Sequence, residues 1–443
     1  MTEQNIDYDV VVCGGGPAGS IAARQSAQLG LRTLVLEKDA FPRFHIGESL
    51  LPYMSGLLHE LGLLDHVKRE GHPVKTGAEF SDTTGKFHRV SFTDQGEGRF
   101  HTTFQVDRAR FDQFLLDAAV DAGARAVTQA NITDIDLQDD DTPHAVHYTA
   151  PDGEHVVRAK VVIDATGRAG LISAKLGLRK TVQQLKMVAL YHHYVGIREE
   201  NNPGWRGDIQ IGNHDDGWVW AIPNAAGMLS VGTVMRRSTL RGADREALFQ
   251  DHVSRVPRIV QRLGSAQVQG PLRTESDYCY YAEQVAGNRW FLVGDSAAFV
   301  DPVFSGGVYL AMVTGRQAGV EAAAIVNGSE RTEECADRFT RLYKTGYDTY
   351  FRLVQGFYEY NFDFGAFKAD LPDEVDARSV SLLLGGDFWG HANTFASELR
   401  KVERWRIFEP FDVYYGCPAY PELELAERTA LAERNGSIVG ATS

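Results

Sequence analysis

The chain has 443 residues, a formal net charge of −14 at pH 7 and 43% hydrophobic residues, which indicates a globular protein of two or three structural units. The acidic balance argues against nucleic acid as a partner, because binding to phosphates needs a positive field. No apolar run reaches the ~18 residues of a membrane-spanning helix, and the N-terminus lacks an apolar leader segment.

The first forty residues predict a βαβ unit. The mostly apolar run Asp9–Cys13 predicts a buried strand, Ala18–Leu29 predicts a helix rich in small residues, and Thr33–Glu37 predicts a second strand. The turn Gly14–Gly19 (Gly-Gly-Gly-Pro-Ala-Gly) joins the first strand to the helix. Strand, glycine-rich turn, helix and strand in this order predict a dinucleotide-binding unit.

Each residue of this turn has a physical task. Gly14 permits the tight turn, Gly16 lets the backbone approach a pyrophosphate, and Gly19 lets the helix pack closely on the strand. The N-terminus of the helix offers free N–H groups to the phosphates, and an acid at the end of the second strand accepts hydrogen bonds from a ribose. The predicted nucleotide-binding residues are Gly14, Gly16, Ala18, Gly19, Glu37 and Lys38.

Two later strands end in similar turns. The strand at 160–164 runs into Ala165-Thr166-Gly167, and the strand at 289–293 runs into Gly294-Asp295, ahead of a predicted helix at 306–324. With these turns the chain resembles the FAD monooxygenases and their relatives. The resemblance implies that Asp295 holds the ribityl chain of FAD and that the helix directs its N-terminus, with Gly307, at the flavin ring.

Two intervening segments fit the same group. Residues 41–52 (Phe-Pro-Arg-Phe-His-Ile-Gly-Glu-Ser-Leu-Leu-Pro) and 105–108 (Gln-Val-Asp-Arg) lie in relatives against the flavin. The resemblance therefore adds Arg43, Glu48, Ser49 and Arg108 to the cofactor-binding residues. An alternative for Arg108 is a solvated charge at the start of the helix predicted at 111–123, paired with Asp112.

Two motifs narrow the group. Trp218, Trp220, Ile222 and Pro223 match Trp-x-Trp-x-Ile-Pro, and residues 299–307 match Phe-x-x-Pro-x-x-Ser-x-Gly. Alone, two tryptophans at a spacing of two predict only a strand with both rings on one face. Together the motifs resemble those of the flavin-dependent halogenases, in which the first distinguishes halogenases from monooxygenases.

Lys75 is the predicted catalytic residue. It stands in Pro73–Phe80, where halogenases carry a lysine ahead of a Gly-Ala-x-Phe strand. The family makes hypohalous acid, a small and unselective oxidant, and a lysine amine guides it either through a hydrogen bond or as a haloamine. The ordinary alternative for a single lysine is a solvated surface charge.

The halide needs backbone N–H groups beside the flavin, and Ser305, Gly306 and Gly307 at a helix start are suited to that task. A plain glycine turn is the alternative. Phe304 stands where tryptophan halogenases usually carry a glutamate. The resemblance therefore favours a halogenase of the phenol, pyrrole or carrier-bound type rather than the tryptophan type, and the general base stays unassigned.

The C-terminal region offers two weaker patterns. An aromatic cluster at 357–367 walls either a substrate pocket or the core under a docked helical region, and the core is favoured. The basic run Arg400–Arg406 would receive an acidic carrier protein, although such a run is more often a solvated helix face.

The predicted fold is α/β (α+β), with a Rossmann-like FAD-binding domain of the aromatic-hydroxylase type. Its predicted segments are 1–74, 106–180 and 276–330. Residues 75–105 and 181–275 are predicted to form an inserted substrate-side sheet, and 331–443 a mostly helical C-terminal region.

The predicted function is halogenation of an electron-rich aromatic, free or carrier-bound, with O2, chloride or bromide and FADH2 from a separate flavin reductase, in natural-product biosynthesis. The alternatives are an aromatic hydroxylase that uses NAD(P)H and a flavin-dependent reductase of isoprenoids or lipids. Four scattered cysteines without a CxxC pair predict a cytoplasmic protein without a metal site.

Overall fold

The computed structural model describes residues 6–197, 207–224, 227–361, 363–371 and 375–423, together with 425, 426 and 429. These residues form two eight-stranded sheets and a two-stranded ribbon. Helices cover the sheets, and residues 332–401 are mostly helical, whereas residues 406–420 contain no helix or strand.

The first sheet has a parallel centre in the order β7-β2-β1-β10-β17, with β16 antiparallel at one edge and the β8–β9 hairpin attached to β10. Residues 10–13 of the central strand are fully buried, as expected for a parallel strand covered on both faces. Its strands are β1 (Tyr8–Cys13), β2 (Thr33–Glu37), β7 (Arg125–Thr128), β8 (Asn131–Asp136), β9 (His144–Ala150), β10 (Gly153–Asp164), β16 (Ala286–Gly287) and β17 (Trp290–Leu292).

The second sheet has the order β18-β15-β11-β14-β13-β12-β4-β5 and is antiparallel except between β12 and β4. Its strands are β4 (Gly77–Ser81), β5 (Phe87–Ser91), β11 (Arg179–Val195), β12 (Ile209–His214), β13 (Gly217–Pro223), β14 (Met228–Arg236), β15 (Gln267–Ala282) and β18 (Ala298–Phe299). The separate ribbon pairs β3 (Val74–Lys75) with β6 (Thr103–Phe104).

Twelve α-helices connect and cover these strands within the described ranges. They are α1 (Pro17–Gln28), α2 (Pro52–Glu60), α3 (Leu64–Arg69), α4 (Arg108–Asp121), α5 (Leu171–Lys175), α6 (Arg245–Ser254), α7 (Pro257–Leu263), α8 (Gly307–Val326), α9 (Thr332–Glu359), α10 (Phe364–Ala369), α11 (Ala377–Gly385) and α12 (Thr394–Lys401). None of the helices that the structure describes is long and apolar enough to cross a membrane.

The two faces of the second sheet pack into different hydrophobic clusters. On β13, Trp218 and Trp220 face the large core shared with the first sheet, whereas Val219 and Ala221 face a smaller cluster with α6 and α7. This alternation follows from the period of two along a strand. It directs the tryptophans of the first motif toward the core shared with the first sheet.

The predicted domain boundaries fall within strands of the second sheet. The boundary at 180 lies in β11 and the boundary at 275 lies in β15, while Lys75 belongs to the ribbon. The division into three domains stays a prediction.

Candidate active site

The glycine-rich turn follows β1 and leads into α1 as predicted. Gly14 has φ +108, and a Cβ atom there would lie 2.3 Å from the carbonyl oxygen of Ala165 on the neighbouring strand. A Cβ atom at Gly19 would lie 1.9 Å from the carbonyl oxygen of Gly14. Both positions therefore exclude a side chain. Gly16 and Ala18 lie between them, where α1 begins.

Glu37 fixes this turn from the end of β2. Its Oε2 accepts a hydrogen bond of 2.7 Å from the Gly15 amide, and its Oε1 accepts one of 2.9 Å from the Asp39 amide. The carboxylate is buried, and each oxygen retains a lone pair for a ribose hydroxyl. Lys38, also predicted to bind the cofactor, is exposed and pairs with Asp39.

Asp295 lies three residues after the end of the strand β17, behind Val293 and Gly294. Its carboxylate forms no hydrogen bond with any residue of the described chain, and burial raises its pKa to about 6 against the opposing effect of three arginines. Asp295 is half-buried, and a partly desolvated acceptor without a donor is costly, so a ribityl hydroxyl would supply the missing donor. The residues at this edge therefore fit FAD. We call Gly14–Gly19, Glu37 and Asp295 the flavin edge.

Two arginines meet on one buried carboxylate near the flavin edge. Arg43 and Arg108 both bind Asp112, at 3.1 Å and 2.7 Å, and Asp112 is fully buried. Arg108 also donates to the carbonyl oxygens of Ile46 and Gly47. The pairing of Arg108 with Asp112 matches the alternative interpretation, but the side chain is buried and supports the covering segment instead of being solvated.

The segment that carries Glu48 and Ser49 is held on two sides. The carbonyl oxygen of Glu48 accepts from the Val106 amide at 2.7 Å, and Ser49 forms an isolated bridge with Gln105. The Glu48 carboxylate lies 3.5 Å from the imidazole of His193 on β11. This buried segment therefore lies between the two sheets, and its role as a cover of the flavin stays a prediction.

Lys75 is 2% exposed, so the alternative of a solvated charge is wrong. Its Nζ donates to Ser49 Oγ and to the carbonyl oxygen of Leu50, both at 2.9 Å, and lies 5.5 Å from the centre of the Phe92 ring. Burial lowers the pKa of Lys75 to about 7. The predicted catalytic lysine and the predicted cofactor residue Ser49 are thus in contact. We call Lys75, Ser49, Leu50 and Phe92 the lysine chamber.

Asp208 anchors the lysine chamber and was not predicted from the sequence. Its Oδ1 accepts from the amides of Thr76 and Gly77, both at 2.8 Å, and its Oδ2 forms an ion pair with Arg89 at 2.6 Å. Asp208 thereby holds the residues that follow Lys75, and its charge raises the pKa of the lysine against burial. Its contacts cross 131 positions of sequence, so no local pattern reveals them.

A hydrogen-bond chain joins the two halogenase motifs. Trp218 Nε1 donates to Tyr358 Oη at 2.9 Å, and Tyr358 Oη donates to Asp301 Oδ2 at 2.7 Å. Asp301 is 2% exposed, and burial raises the pKa of its carboxyl to about 7. We call Trp218, Tyr358 and Asp301 the motif bridge. The sequence signal for Asp301 was its place inside the second motif, but Tyr358 was assigned only to an aromatic cluster.

The rest of the first motif is packed in the core. Trp220 donates to Ser230 Oγ at 3.1 Å and contacts Tyr191 at 5.9 Å between ring centroids. Ile222 and Pro223 complete a strand in which every residue is buried. One-face packing of the two tryptophans, the alternative interpretation, is therefore present together with the link from Trp218 to the second motif.

The predicted halide loop uses some of its amides internally. Ser305 has φ +58, and its amide donates to Pro302. The Gly306 amide donates to Tyr350 Oη at 3.2 Å, and that hydroxyl donates to the Asp301 carbonyl oxygen. The Gly307 amide, at the start of α8, has no partner among the described residues. Of the three predicted halide-binding amides, Gly307 is thus the one available.

Phe304 completes an aromatic group next to this loop. Its ring lies 5.1 Å from that of Phe357 and 6.3 Å from that of Phe80, and Phe80 stacks with Phe364 at 6.0 Å. The predicted aromatic cluster contributes Phe357 and Phe364, whereas its member Phe362 lies outside the described residues. The group provides an apolar wall where tryptophan halogenases carry an acid.

The basic run Arg400–Arg406 is neutralised within the fold. Arg404 pairs with Glu359 and Asp370, while Lys401 and Arg406 pair with Glu398 and Glu403. Arg400 is turned inward and donates to Thr349 and Phe388. The run therefore does not present the open positive surface that the carrier-protein hypothesis requires.

One group of described side chains has the composition of a metal site. His214, Asp216 and His252 place one ligand atom each within 4.8 Å of one another, on the face of the second sheet that α6 covers. The Asp216 amide donates to His214 Nδ1, and its carboxylate binds Arg255 at 2.7 Å. The absence of a metal site stays a prediction.

Comparison with known proteins identifies the family. A family model described as tryptophan halogenase matches residues 9–96 and 82–364. A chlorinase of 1H-pyrrole-2-carbonyl-peptidyl-carrier protein from Pseudomonas fluorescens is 29% identical over 89% of this chain and 93% of its own length. A flavin-dependent halogenase of Armillaria mellea is 31% identical over 80% of this chain and 75% of its own length.

The same family appears among solved structures. The flavin-dependent brominase Bmp2 superposes with a TM-score of 0.79 at 29% identity and covers 90% of this chain and 98% of its own. These findings confirm the predicted Rossmann-like α/β fold and the resemblance to halogenases. The chain therefore belongs to the family of flavin-dependent halogenases, enzymes that use FAD and a halide ion.

Proposed function

We propose that the protein halogenates an electron-rich aromatic acyl group, such as a pyrrole-2-carbonyl group, that is tethered to a carrier protein. The observation that carries the chemistry is the lysine chamber, because it holds a buried amine against the segment that covers the flavin. Two matters support the substrate class. Phe304 replaces the acid of the tryptophan type, and the similar Pseudomonas chlorinase acts on a carrier-bound pyrrole.

The protonation of Lys75 determines what the amine can do. With a pKa lowered to about 7, a large fraction of the side chain is neutral near pH 7. A neutral amine has two N–H groups and one lone pair. Ser49 Oγ and the carbonyl oxygen of Leu50 accept hydrogen bonds from the two N–H groups. The lone pair is thus left to accept a hydrogen bond from hypohalous acid or to bond to its halogen, in which case one amine proton and the hydroxide leave together as water.

With FAD held at the flavin edge, reduced flavin would supply two electrons and the halide two more, so that O2 would be converted to one water and one hypohalous acid. The motif bridge and Tyr350 hold the loop that carries Gly307, so the halide meets a fixed amide. The buried lysine chamber excludes water and so protects the oxidant from hydrolysis and loss. Asp301, with its pKa raised to about 7, is our candidate for receiving the proton that the aromatic ring of the substrate loses when the halogen is added.

The supply of reduced flavin by a separate reductase and a cytoplasmic location are parts of this proposal. The described chain has one glycine-rich dinucleotide turn, which serves the flavin. The cysteines Cys13, Cys279, Cys335 and Cys417 are all buried and none of the four forms a disulfide, which suits a reducing compartment.

The decisive assay offers a pyrrole-2-carbonyl carrier protein with chemically reduced FAD, O2 and either chloride or bromide. We expect a product heavier by one halogen in place of one hydrogen, seen by mass spectrometry of the intact carrier protein. A hydroxylated product that forms equally well without halide would overturn the proposal in favour of a hydroxylase.

A further inference from the structure

An arginine-rich groove lies on the second sheet, away from the basic run at 400–406. Its outer part has a volume of about 630 Å³ and is lined by the bulged region of β11, the residues after β14 and the start of α6. Its inner part has a volume of about 510 Å³ and shares Ser276 with the outer part. We call the two together the arginine groove.

The outer part concentrates positive charge in an acidic protein. Five cations line it, and no aspartate or glutamate is among its described lining residues, although the chain carries a net charge of −14. Lys186, Arg236 and Arg241 form no ion pair with any residue that the structure describes. The five cations are Lys186, Arg236, Arg237, Arg241 and Arg245.

The inner part connects this charge to the flavin edge. Arg179 lies 4.4 Å from the centre of the Tyr280 ring, and Arg168 lies 5.7 Å from that of Phe299, the first residue of the second halogenase motif. Both arginines also act electrostatically on Asp295. A partner held by charge at the outer part is therefore next to the residues that hold the flavin and its reaction loop.

We propose that the arginine groove docks the acidic carrier protein and binds the phosphodiester of the arm that carries the aromatic acyl group. This inference rests on the proposed function. Arginines suit it because a guanidinium binds phosphate and carboxylate groups in a bidentate manner. Complementary charge also steers the two proteins together and makes their association sensitive to salt.

The groove is assembled from four parts of the chain, unlike the run at 400–406. Its cations come from the turn after β10, from β11, from the end of β14 and from the start of α6. Thr274 and Ser276 pair with Leu190 and Val188, so the carrier protein would contact the α6 face of this sheet, opposite the two tryptophans. Its arm would then have to pass the β15–β18 edge to reach Phe299 and Asp295.

The test compares two double charge reversals. R236E/R241E removes two exposed cations of the groove, and R69E/K86E makes the same change in charge at exposed positions on α3 and on the β4–β5 turn. Binding of the holo peptidyl carrier protein that serves the Pseudomonas fluorescens chlorinase is measured by fluorescence anisotropy at low and high salt. Turnover is measured with that carrier loaded with pyrrole-2-carboxylate and with a small soluble thioester of the same acid.

For R236E/R241E we expect the dissociation constant and the KM for the carrier-bound substrate to rise at least tenfold at low salt. The salt dependence of binding should weaken. The kcat, the turnover of the small thioester and the affinity for FAD should each change less than about twofold. The control variant should stay within about twofold of the unchanged protein in every measurement.

Three results would overturn the docking site. These are equal effects of the two variants, an equal loss with the small thioester, or a loss of FAD affinity that accounts for the whole effect. A failure of the proposed function looks different, because the unchanged protein would then bind the carrier protein in a groove-dependent way without halogenating its acyl group.

Discussion

At the flavin edge, the polar groups come from short segments that directly follow β1, β2 and β17, and backbone amides provide much of the binding surface. In the lysine chamber, Ser49 and Lys75 are brought together by a ribbon of two short strands and by Asp208 from a distant segment. The first region contains local motifs on a rigid sheet. The second depends on buried charges whose partners the tertiary fold supplies.

This difference has a chemical purpose. In our proposal the flavin edge binds FAD, which calls for N–H groups at a helix start and for carboxylates that accept hydrogen bonds. The lysine chamber has to hold an amine at a lowered pKa, which requires that water be removed. Substitutions at the flavin edge should therefore change the affinity for FAD, whereas substitutions in the lysine chamber should change the rate of halogenation and its pH dependence.

The largest effect is expected for Lys75→Ala. Loss of the amine should lower halogenation at least ~1000-fold, because no other described amine reaches Ser49 and Leu50. FAD affinity, measured by fluorescence titration, should change less than twofold because the flavin edge is intact. Lys75→Arg is the control, since it keeps a cation but has no neutral amine at this pH, and it should not recover activity. Activity of Lys75→Ala above a tenth of the starting value would contradict the assignment.

The next effect concerns Asp208→Asn. Losing the charge should lower the free energy of unfolding by about 2 kcal/mol, because Arg89 loses its partner. Weaker anchoring of Thr76 and Gly77 should also displace Lys75 and lower the kcat of the plateau at high pH about tenfold. The pKa of Lys75 should fall further, since Asp208 raises it, and the pH profile should move to lower pH.

The matched control for Asp208→Asn is Glu79→Gln, which breaks another buried pair on the same sheet, with Arg258 at 2.6 Å. It should lower stability to a similar degree without moving the pH profile. A profile that moves equally in both variants would show that Asp208 acts only on the fold.

At the flavin edge, Asp295→Ala should raise the dissociation constant of FAD about tenfold, because a ribityl hydroxyl loses its acceptor. At saturating flavin, kcat should change less than about threefold. The melting temperature of the flavin-free protein should stay constant or rise, since the Asp295 carboxylate has no hydrogen-bond partner among the described residues. A lower melting temperature with unchanged FAD affinity would assign Asp295 to folding.

The pH dependence sharpens the comparison. Because the pKa of Lys75 is lowered to about 7, the neutral fraction of its amine rises with pH. The halogenation activity of the enzyme should therefore be lost as the pH falls below about 7. Between pH 6 and pH 8 the neutral fraction, and the single-turnover halogenation rate, should increase about tenfold. FAD affinity should vary less over this range.

Asp301 loses its proton in the same range, since burial raises its pKa to about 7. The profile should therefore be measured also in Asp301→Asn, where the rise due to Lys75 remains. A profile that becomes flat in that variant would assign the titration to Asp301 instead.

The smallest effect is expected for Trp218→Phe, which removes one hydrogen bond from the motif bridge. A loss of about 1 kcal/mol corresponds to a three- to sixfold lower kcat. The pKa of Asp301 should rise further, because the bond from Trp218 lowers it. Trp220→Phe removes a bond to Ser230 only and should leave the Asp301 titration unchanged. Identical behaviour of the two variants would argue against a role for the bridge.

The sequence predicted the positions of the glycine-rich turn and of Glu37 because their determinants are local. Gly14, Gly19 and Glu37 act within one βαβ unit, and their roles follow from turn geometry and strand ends. Trp218 and Lys75 were found by resemblance to halogenase motifs, and the structure adds their surroundings. The predicted roles of these side chains toward FAD and halide stay predictions.

The remaining contacts depend on tertiary structure. Nothing near Asp208 or Tyr358 in the sequence indicates that they face Thr76 or Asp301, since such contacts arise only when sheets and helices pack. The location of unpaired positive charge also depends on the tertiary structure and not on neighbouring residues in the sequence. The contiguous run at 400–406 is paired with acids, whereas the arginine groove collects dispersed cations.

Phe304 has a consequence for enzyme engineering. Grafting the acid of the tryptophan type by Phe304→Glu would place a carboxylate between the rings of Phe80 and Phe357. The new acid would be held largely protonated by its apolar surroundings, as buried carboxyls are. A change of substrate type therefore requires repacking the whole aromatic wall, and a library that varies residue 304 alone would explore mostly inactive enzymes.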